Sequence, residues 1–197
     1  MKTKAAVLWG MNQKWEVEEL ELDKPKEGEV LVKMTASGLC HSDYHLVTGD
    51  LPAPLPMVGG HEGAGTVVEA GPGVTEVAEG DHVVMTFIPA CGRCRPCARG
   101  MSNLCDLGAY ILKGPQLDGT YRFHGRGHDI GQLLLLGTFS EYVVAPIASV
   151  IKLDDSVPLD KAALLGCGVT TGFGSTVRTG ETRAGDTVVV MGVGGVG

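Results

Sequence analysis

Short apolar runs, cut by glycine, proline and acidic residues, organise this chain, and most of them alternate with polar positions as strands do. Residues 5–9 (AAVLW) and 29–37 (EVLVKMTAS) predict strands. The partly alternating 15–22 (WEVEELEL) predicts another, with Pro25 and Gly28 punctuating the gap before the third. Just after Cys40, Ser42 suits the N-cap of a short helix over residues 43–47. A proline-rich loop, LPAPLPMVGG, then leads to His61. Residues 61–71 and 81–89 read as strands flanking a Gly-Pro-Gly turn and an acidic stretch, and 139–146 returns to strand. Pro158 opens a helix carrying Leu159, Ala162, Ala163 and Leu165, and residues 168–177 predict the next helix. Residues 187–191 read as a buried strand running into a glycine loop. Residues 91–138 show little periodicity and read as an excursion from an otherwise β-rich body.

The sum is a mainly β fold with short helices. Composition narrows it further. Thirty glycines favour tight turns over long helices, and 44% hydrophobic residues are enough for a buried core. The net charge of −7 with no basic run argues against a nucleic-acid partner. No segment approaches the roughly 20 apolar residues of a membrane span. The opening MKTKAAVLWG reads as a first strand and not as a signal peptide, so a cytoplasmic protein is expected.

Six cysteines carry the chemistry, and they divide into two sets. Cys91, Cys94, Cys97 and Cys105 lie in CGRCRPCARGMSNLC, with two, two and seven residues between them. Such spacing suits a closed tetrahedral zinc site, and in a reducing compartment clustered thiols are more often ligands than disulfides. An unpatterned lobe also needs a staple to stay ordered. Cys40 and Cys167 stand alone, and His61 sits in the glycine-rich GGHEGAG. Two thiols and an imidazole suit an open zinc site, yet each residue alone has an ordinary reading as a buried thiol or a satisfied histidine. Asp43 would hold the His61 imidazole in one tautomer and Glu62 would act beside the metal, unless both are plain turn carboxylates. Gly192, Gly194 and Gly197 form G-x-G-x-x-G directly after the apolar run, a pattern that cradles a pyrophosphate where a helix follows.

GLCHSDYHLVTGDLP, PMVGGHEGAGTVVEAGPGV, GDHVVMTFIPACGRCRPCARGMSNLC, LGTFSEYVVA, LLGCGVTTGFGS and VVVMGVGGVG together resemble the N-terminal part of the zinc-dependent medium-chain alcohol dehydrogenases. The resemblance runs through essentially the whole chain. Within the family, MNQKWEVEELELDKPKEGEVLVKM and FIPACGRCRPCARGMSNLCDLGA look most like the actinobacterial nicotinoprotein, or nitrosoaniline-dependent, branch, while the stretch with DGTYRF resembles the branch that includes glutathione-dependent formaldehyde dehydrogenases.

The resemblance implies a GroES-like catalytic domain over residues 1–168, with a zinc lobe at about 91–138, followed at 169–197 by the incomplete start of a Rossmann domain. It implies two zinc ions, a catalytic one on Cys40, His61 and Cys167 with Glu62 nearby, and a structural one on Cys91, Cys94, Cys97 and Cys105. It assigns Ser42 and His45 to a proton relay. Thr171, together with the loop of Gly192, Gly194, Gly195 and Gly197, would meet NAD(H), held tightly in a nicotinoprotein. His41 stands where many relatives carry an arginine that meets the pyrophosphate. The expected reaction is oxidation of a small-molecule alcohol to an aldehyde, or the reverse, in a homo-oligomer when full-length. A thiol-adduct formaldehyde dehydrogenase and a non-catalytic zinc protein are the alternatives, and the second predicts Cys40, His61 and Cys167 far apart. The 197 residues alone are expected to be inactive.

Overall fold

The computed structural model describes residues 1–197. It is mainly β, in two sheets that share one core. Strands β1 (Lys2–Leu8), β2 (Glu16–Leu22), β4 (Met57–Val58), β7 (Phe123–Gly125) and β8 (His128–Gln132) close into a barrel in the order β1-β2-β7-β8-β4. Strands β3 (Glu29–Gly38), β5 (Glu62–Ala70), β6 (His82–Met85), β9 (Tyr142–Pro146) and β10 (Val150–Lys152) form a second sheet in the order β10-β6-β5-β3-β9. The helices are short: α1 (His41–Thr48), α2 (Arg95–Ala98), α3 (Leu159–Ala162) and α4 (Gly168–Gly174). None is long and apolar enough to cross a membrane.

The main core draws on both sheets: Val7, Leu20 and Phe123 from the barrel meet Val30, Val32, Val67, Met85 and Val143. Burial of such side chains is worth about 1.5–3 kcal/mol each. A buried ion pair also ties the two sheets together. Arg122, fully buried just before β7, donates from Nε and Nη2 to the two carboxylate oxygens of Glu29 at the start of β3, at 2.8 and 2.7 Å. This two-pronged geometry is the strong form of a carboxylate contact.

The excursion predicted for residues 91–138 is only partly one. Its C-terminal portion forms the β7–β8 hairpin, which pairs with β2 and β4 and completes the barrel. The hairpin escapes a pattern search because β7 is three residues long, Phe-His-Gly, and only Phe123 among them is buried. The helix after Cys40 also starts earlier than Ser42 predicts. Cys40 is the N-cap, its backbone N–H donating to Asp43 Oδ2 at 3.0 Å, and Ser42 lies inside α1. The strand predicted at 187–191 does not form: no ladder pairs with it, and Val189, Met191 and Val193 are largely exposed. A strand without a partner leaves its backbone groups to water and gains nothing from its apolar side chains. The helix predicted at 168–177 is present as α4, continued by a wider turn over Ser175–Thr179.

The buried segment before β9 departs from ordinary backbone at two successive residues. Leu134 and Leu135 are both left-handed, at φ 56° and 64°, a region that costs a β-carbon-bearing residue about 1–2 kcal/mol. Two buried glutamines hold them there. Gln116 Nε2 donates to Gln132 Oε1 at 2.9 Å and to the Leu135 carbonyl at 3.0 Å, and Gln132 Nε2 donates to the Leu136 and Val144 carbonyls at 2.8 and 2.9 Å. Gln132→Leu keeps the volume but strips donors from those carbonyls, so it should cost about 2–4 kcal/mol, at roughly 1–3 kcal/mol for each orphaned buried group. Denaturant unfolding of Gln132→Leu, Gln116→Met and the double variant checks this. Because the two amides share one network, the double variant should lose less than the sum of the singles; strict additivity would mean that the glutamines act separately.

Candidate metal centres

Strand register builds the first centre. Gly38, the last residue of β3, pairs with Glu62, the first of β5, so Cys40 just beyond one strand end lies beside His61 just before the other. The next pairing, Gly63 with Met85 of β6, brings Phe87 close, and its ring stands edge-on to the His61 imidazole at 5.6 Å between centroids. The third arm is the turn Ala163–Gly166, which delivers Cys167 as the residue before α4. The ligating atoms of Cys40, His61, Glu62 and Cys167 all lie within 4.8 Å of one another. All but Cys40 are buried.

The electrostatics of this cluster favour charged donors. Burial works against a Cys40 thiolate, but hydrogen bonds from the Ser42 amide and hydroxyl, with His61 nearby, hold its pKa below the ordinary thiol value. For His61, burial disfavours the proton, yet Asp43 and the Cys167 thiol outweigh it and raise the pKa to about 10. Asp43 is itself buried. It accepts from the Cys40 and Gly60 backbone N–H groups at 3.0 and 3.1 Å and lies 3.4 Å from His61 Nδ1. That last contact is within ion-pair range but is not aligned as a hydrogen bond, and His61 Nδ1 has no other partner.

Glu62 points inward. Its Oε1 accepts the Gly168 N–H at 3.0 Å, and its Oε2 fills the space that a β-carbon on Gly38 would take. Neither glycine is visible from sequence as a site residue, because the spacing between Glu62 and Gly168 is set only by the fold. Nor is Phe87, which local sequence presents as one more strand residue.

The other expected site residues surround this centre or stand at its mouth. Ser42 Oγ is 3.6 Å from Cys40 Sγ, and Thr171 Oγ1 is 3.7 Å from Cys167 Sγ. His45, one turn along α1, is exposed, with Nδ1 3.3 Å from Asp50 Oδ2. His41 stacks edge-on against it at 4.8 Å between ring centroids. Gly192, Gly194, Gly195 and Gly197 form an exposed loop that lies against α4, where β-carbons on Gly168 and Gly172 would strike the Gly195 and Val196 carbonyls.

The second centre is local. Cys91, Cys94, Cys97 and Cys105 bring four sulfurs within 4.8 Å of one another, with Cys94 and Cys105 Sγ 3.9 Å apart. A tetrahedral zinc with ~2.3 Å Zn–S bonds needs sulfurs about 3.8 Å apart. All six thiols of the chain are free. Backbone amides already point at the sulfurs, Cys94 N at Cys91 Sγ (3.4 Å) and Cys91 N at Cys105 Sγ (3.5 Å). The amides of Arg93 and Cys94 lower the Cys91 pKa to about 6, whereas burial and the Cys94 sulfur push Cys97 up to about 12. Both donor sets suit zinc, the first leaving room for a further ligand and the second closed.

Comparison with known proteins places this geometry. Residues 26–155 match the family model described as the alcohol dehydrogenase GroES-like domain. The chain is 59% identical to an NDMA-dependent alcohol dehydrogenase of Amycolatopsis methanolica and 56% identical to alcohol dehydrogenase B of Mycobacterium tuberculosis, in each case along all of this chain and 53% of the relative. It thus spans about half the length of these curated relatives. Among solved structures, an alcohol dehydrogenase zinc-binding domain protein from Burkholderia ambifaria superposes with a TM-score of 0.87 at 34% identity, covering 94% of this chain and 50% of that one. Benzyl alcohol dehydrogenase from Acinetobacter calcoaceticus gives 0.82 at 31%, covering 90% and 48%. With its barrel, its second sheet and the family match over most of its length, the chain belongs to the alcohol dehydrogenase GroES-like domain family.

Proposed function

We propose that this chain is the zinc-holding catalytic part of an alcohol dehydrogenase that moves a hydride between an alcohol and a nicotinamide cofactor, most like the nicotinoprotein branch. One observation carries the reading: Cys40, His61 and Cys167 come from three distant segments, yet their donor atoms converge within 4.8 Å. A non-catalytic zinc protein has no need of this second cluster, and that reading expected the three residues far apart. The domain assignment proposed is a catalytic unit over 1–168 and the beginning of a cofactor-binding unit over 169–197.

Cys40, His61 and Cys167 would hold one zinc, and Cys91, Cys94, Cys97 and Cys105 the other. Bound zinc supplies a Lewis acid that lowers an alcohol's pKa, and the nicotinamide supplies the hydride acceptor. The protein's own groups do the rest. Asp43 fixes the His61 ring through its Nδ1 side. The Ser42 hydroxyl, beside the Cys40 sulfur, takes the alcohol proton, and His45 at the exposed end of the path passes it to solvent. The Phe87 ring excludes water on one side of His61. Thr171 would border the nicotinamide, and His41 with the Gly192–Gly197 loop would face its phosphates. The 197 residues by themselves are proposed to be inactive, because that loop lies exposed and outside both sheets.

Metal analysis separates the two centres. The protein should bind two zinc ions per chain. Cys94→Ser should lose one and lower Tm by about 5–10 °C, at the ~2–4 °C per kcal/mol usual for this size, because binding energy at a structural site is folding energy. Cys40→Ser should lose the other with a smaller change in Tm. A single zinc in the parent, or loss of both from Cys40→Ser with the fold intact, would count against two independent sites.

In the full-length protein, His45→Gln should slow alcohol oxidation by about tenfold or more, within reach of the general acid–base range, and added buffer base should recover part of the rate. An unchanged rate, with no response to buffer, would remove His45 from the proton path.

A further inference from the structure

His41 and His45 lie four positions apart on one face of α1, the spacing at which helical histidines chelate a metal together. Their ring centroids are 4.8 Å apart, at 73° to one another. The Nδ1 of His45 is engaged by Asp50 Oδ2 at 3.3 Å, and Asp50 is fixed in turn by the Thr48 hydroxyl at 2.7 Å. Occupying Nδ1 in this way leaves Nε2 as the free lone pair, the arrangement in which metal-binding histidines usually stand, with a carboxylate behind the ring. His41 makes no hydrogen bond through either ring nitrogen, and the edge of Tyr44 restrains its ring at 5.5 Å.

His124, by contrast, has both nitrogens committed, to Asp129 at 2.8 Å and to Asp23 at 3.3 Å, and His128 has no second histidine one turn away on a helix.

We propose that His41 and His45 form an exchangeable site for a divalent transition-metal ion on α1, the helix that Cys40 caps, separate from both zinc clusters. Two imidazoles and solvent make a donor set for Ni²⁺, Cu²⁺ or Zn²⁺, with Asp50 offsetting part of the positive charge. The functional consequence rests on the alcohol dehydrogenase reading. An ion here takes His45 away from proton transfer and covers His41, so it acts as a reversible inhibitor supplied from solution.

The test uses zinc-loaded full-length protein, stripped of nicotinamide cofactor and without substrate, titrated with Ni²⁺, which does not oxidise the thiols. Calorimetry should find one Ni²⁺ per chain taken up with no zinc released. His41→Gln and His45→Gln should each abolish that uptake or weaken it by about tenfold or more. Asp50→Asn, which removes only the group behind the ring, should weaken it by about 10–100-fold. His124→Gln should leave it unchanged. Equal uptake by the parent and by His41→Gln or His45→Gln, an equal loss in His124→Gln, or stoichiometric zinc release would each overturn the site. Because binding is read without turnover, an inactive protein that takes up Ni²⁺ in this pattern refutes the dehydrogenase reading and leaves the site standing. An active enzyme that takes up none does the reverse.

Discussion

A single buried carboxylate organises the end of this fold that carries the Cys40–His61–Cys167 cluster. Asp43 accepts the Cys40 N–H, which starts α1, and the Gly60 N–H, which sets the approach to His61. It also stands 3.4 Å from the His61 ring. A carboxylate this deep in a protein is costly unless charge or donors surround it. Here those donors belong to the very segments that carry two of the proposed ligands. Helix start, turn and imidazole are therefore positioned by one group, and none can drift without exposing the others' unmet polar atoms. Gly60 at φ +85° makes the turn sterically possible, since a β-carbon there would collide with Thr138 and Phe139.

The two cysteine clusters solve opposite problems. Around Cys40, His61 and Cys167 the protein is well packed, and the difficulty is to keep charge inside it; the answer is a set of matched donors and an aromatic wall. Around Cys91–Cys105 no large apolar core exists, and most residues are exposed or half-buried. Short turns aim amides at the sulfurs instead, the arrangement the proposed second zinc would use to order the lobe. The barrel itself does not share this dependence, because the β7–β8 hairpin and the Arg122–Glu29 pair anchor the returning chain.

How much of this was legible in the sequence follows from range. The cluster of four cysteines is a local pattern, and its spacing alone indicates a common site. Strands β1, β2, β3, β5 and β9 alternate or run apolar for long enough to be read. The first centre is different: residue types suggested an open site on residues 40, 61 and 167 but left each with an ordinary reading, because 40 and 61 meet through strand register and 167 arrives on a distant turn. The barrel-closing hairpin was missed because its strands are short and glycine-rich. Cys40 displaced Ser42 as the helix cap because Asp43 completes the cap from within the first turn. At 187–191 the apolar run is a sound strand signal, but pairing, and not propensity, makes a strand.

The Glu62 carboxylate sits where a side chain on Gly38 would have to go, and these two residues face one another across the β3–β5 ladder. Their sizes are thus a shared quantity. A larger residue at 38 is tolerable only with a shorter acid, or none, at 62, and a shorter acid gives up its reach to the Gly168 amide at the head of α4. Change at one position therefore carries a history of change at the other, and the pair should vary together across homologous chains, as a joint record of whether the acid beside the metal has been retained.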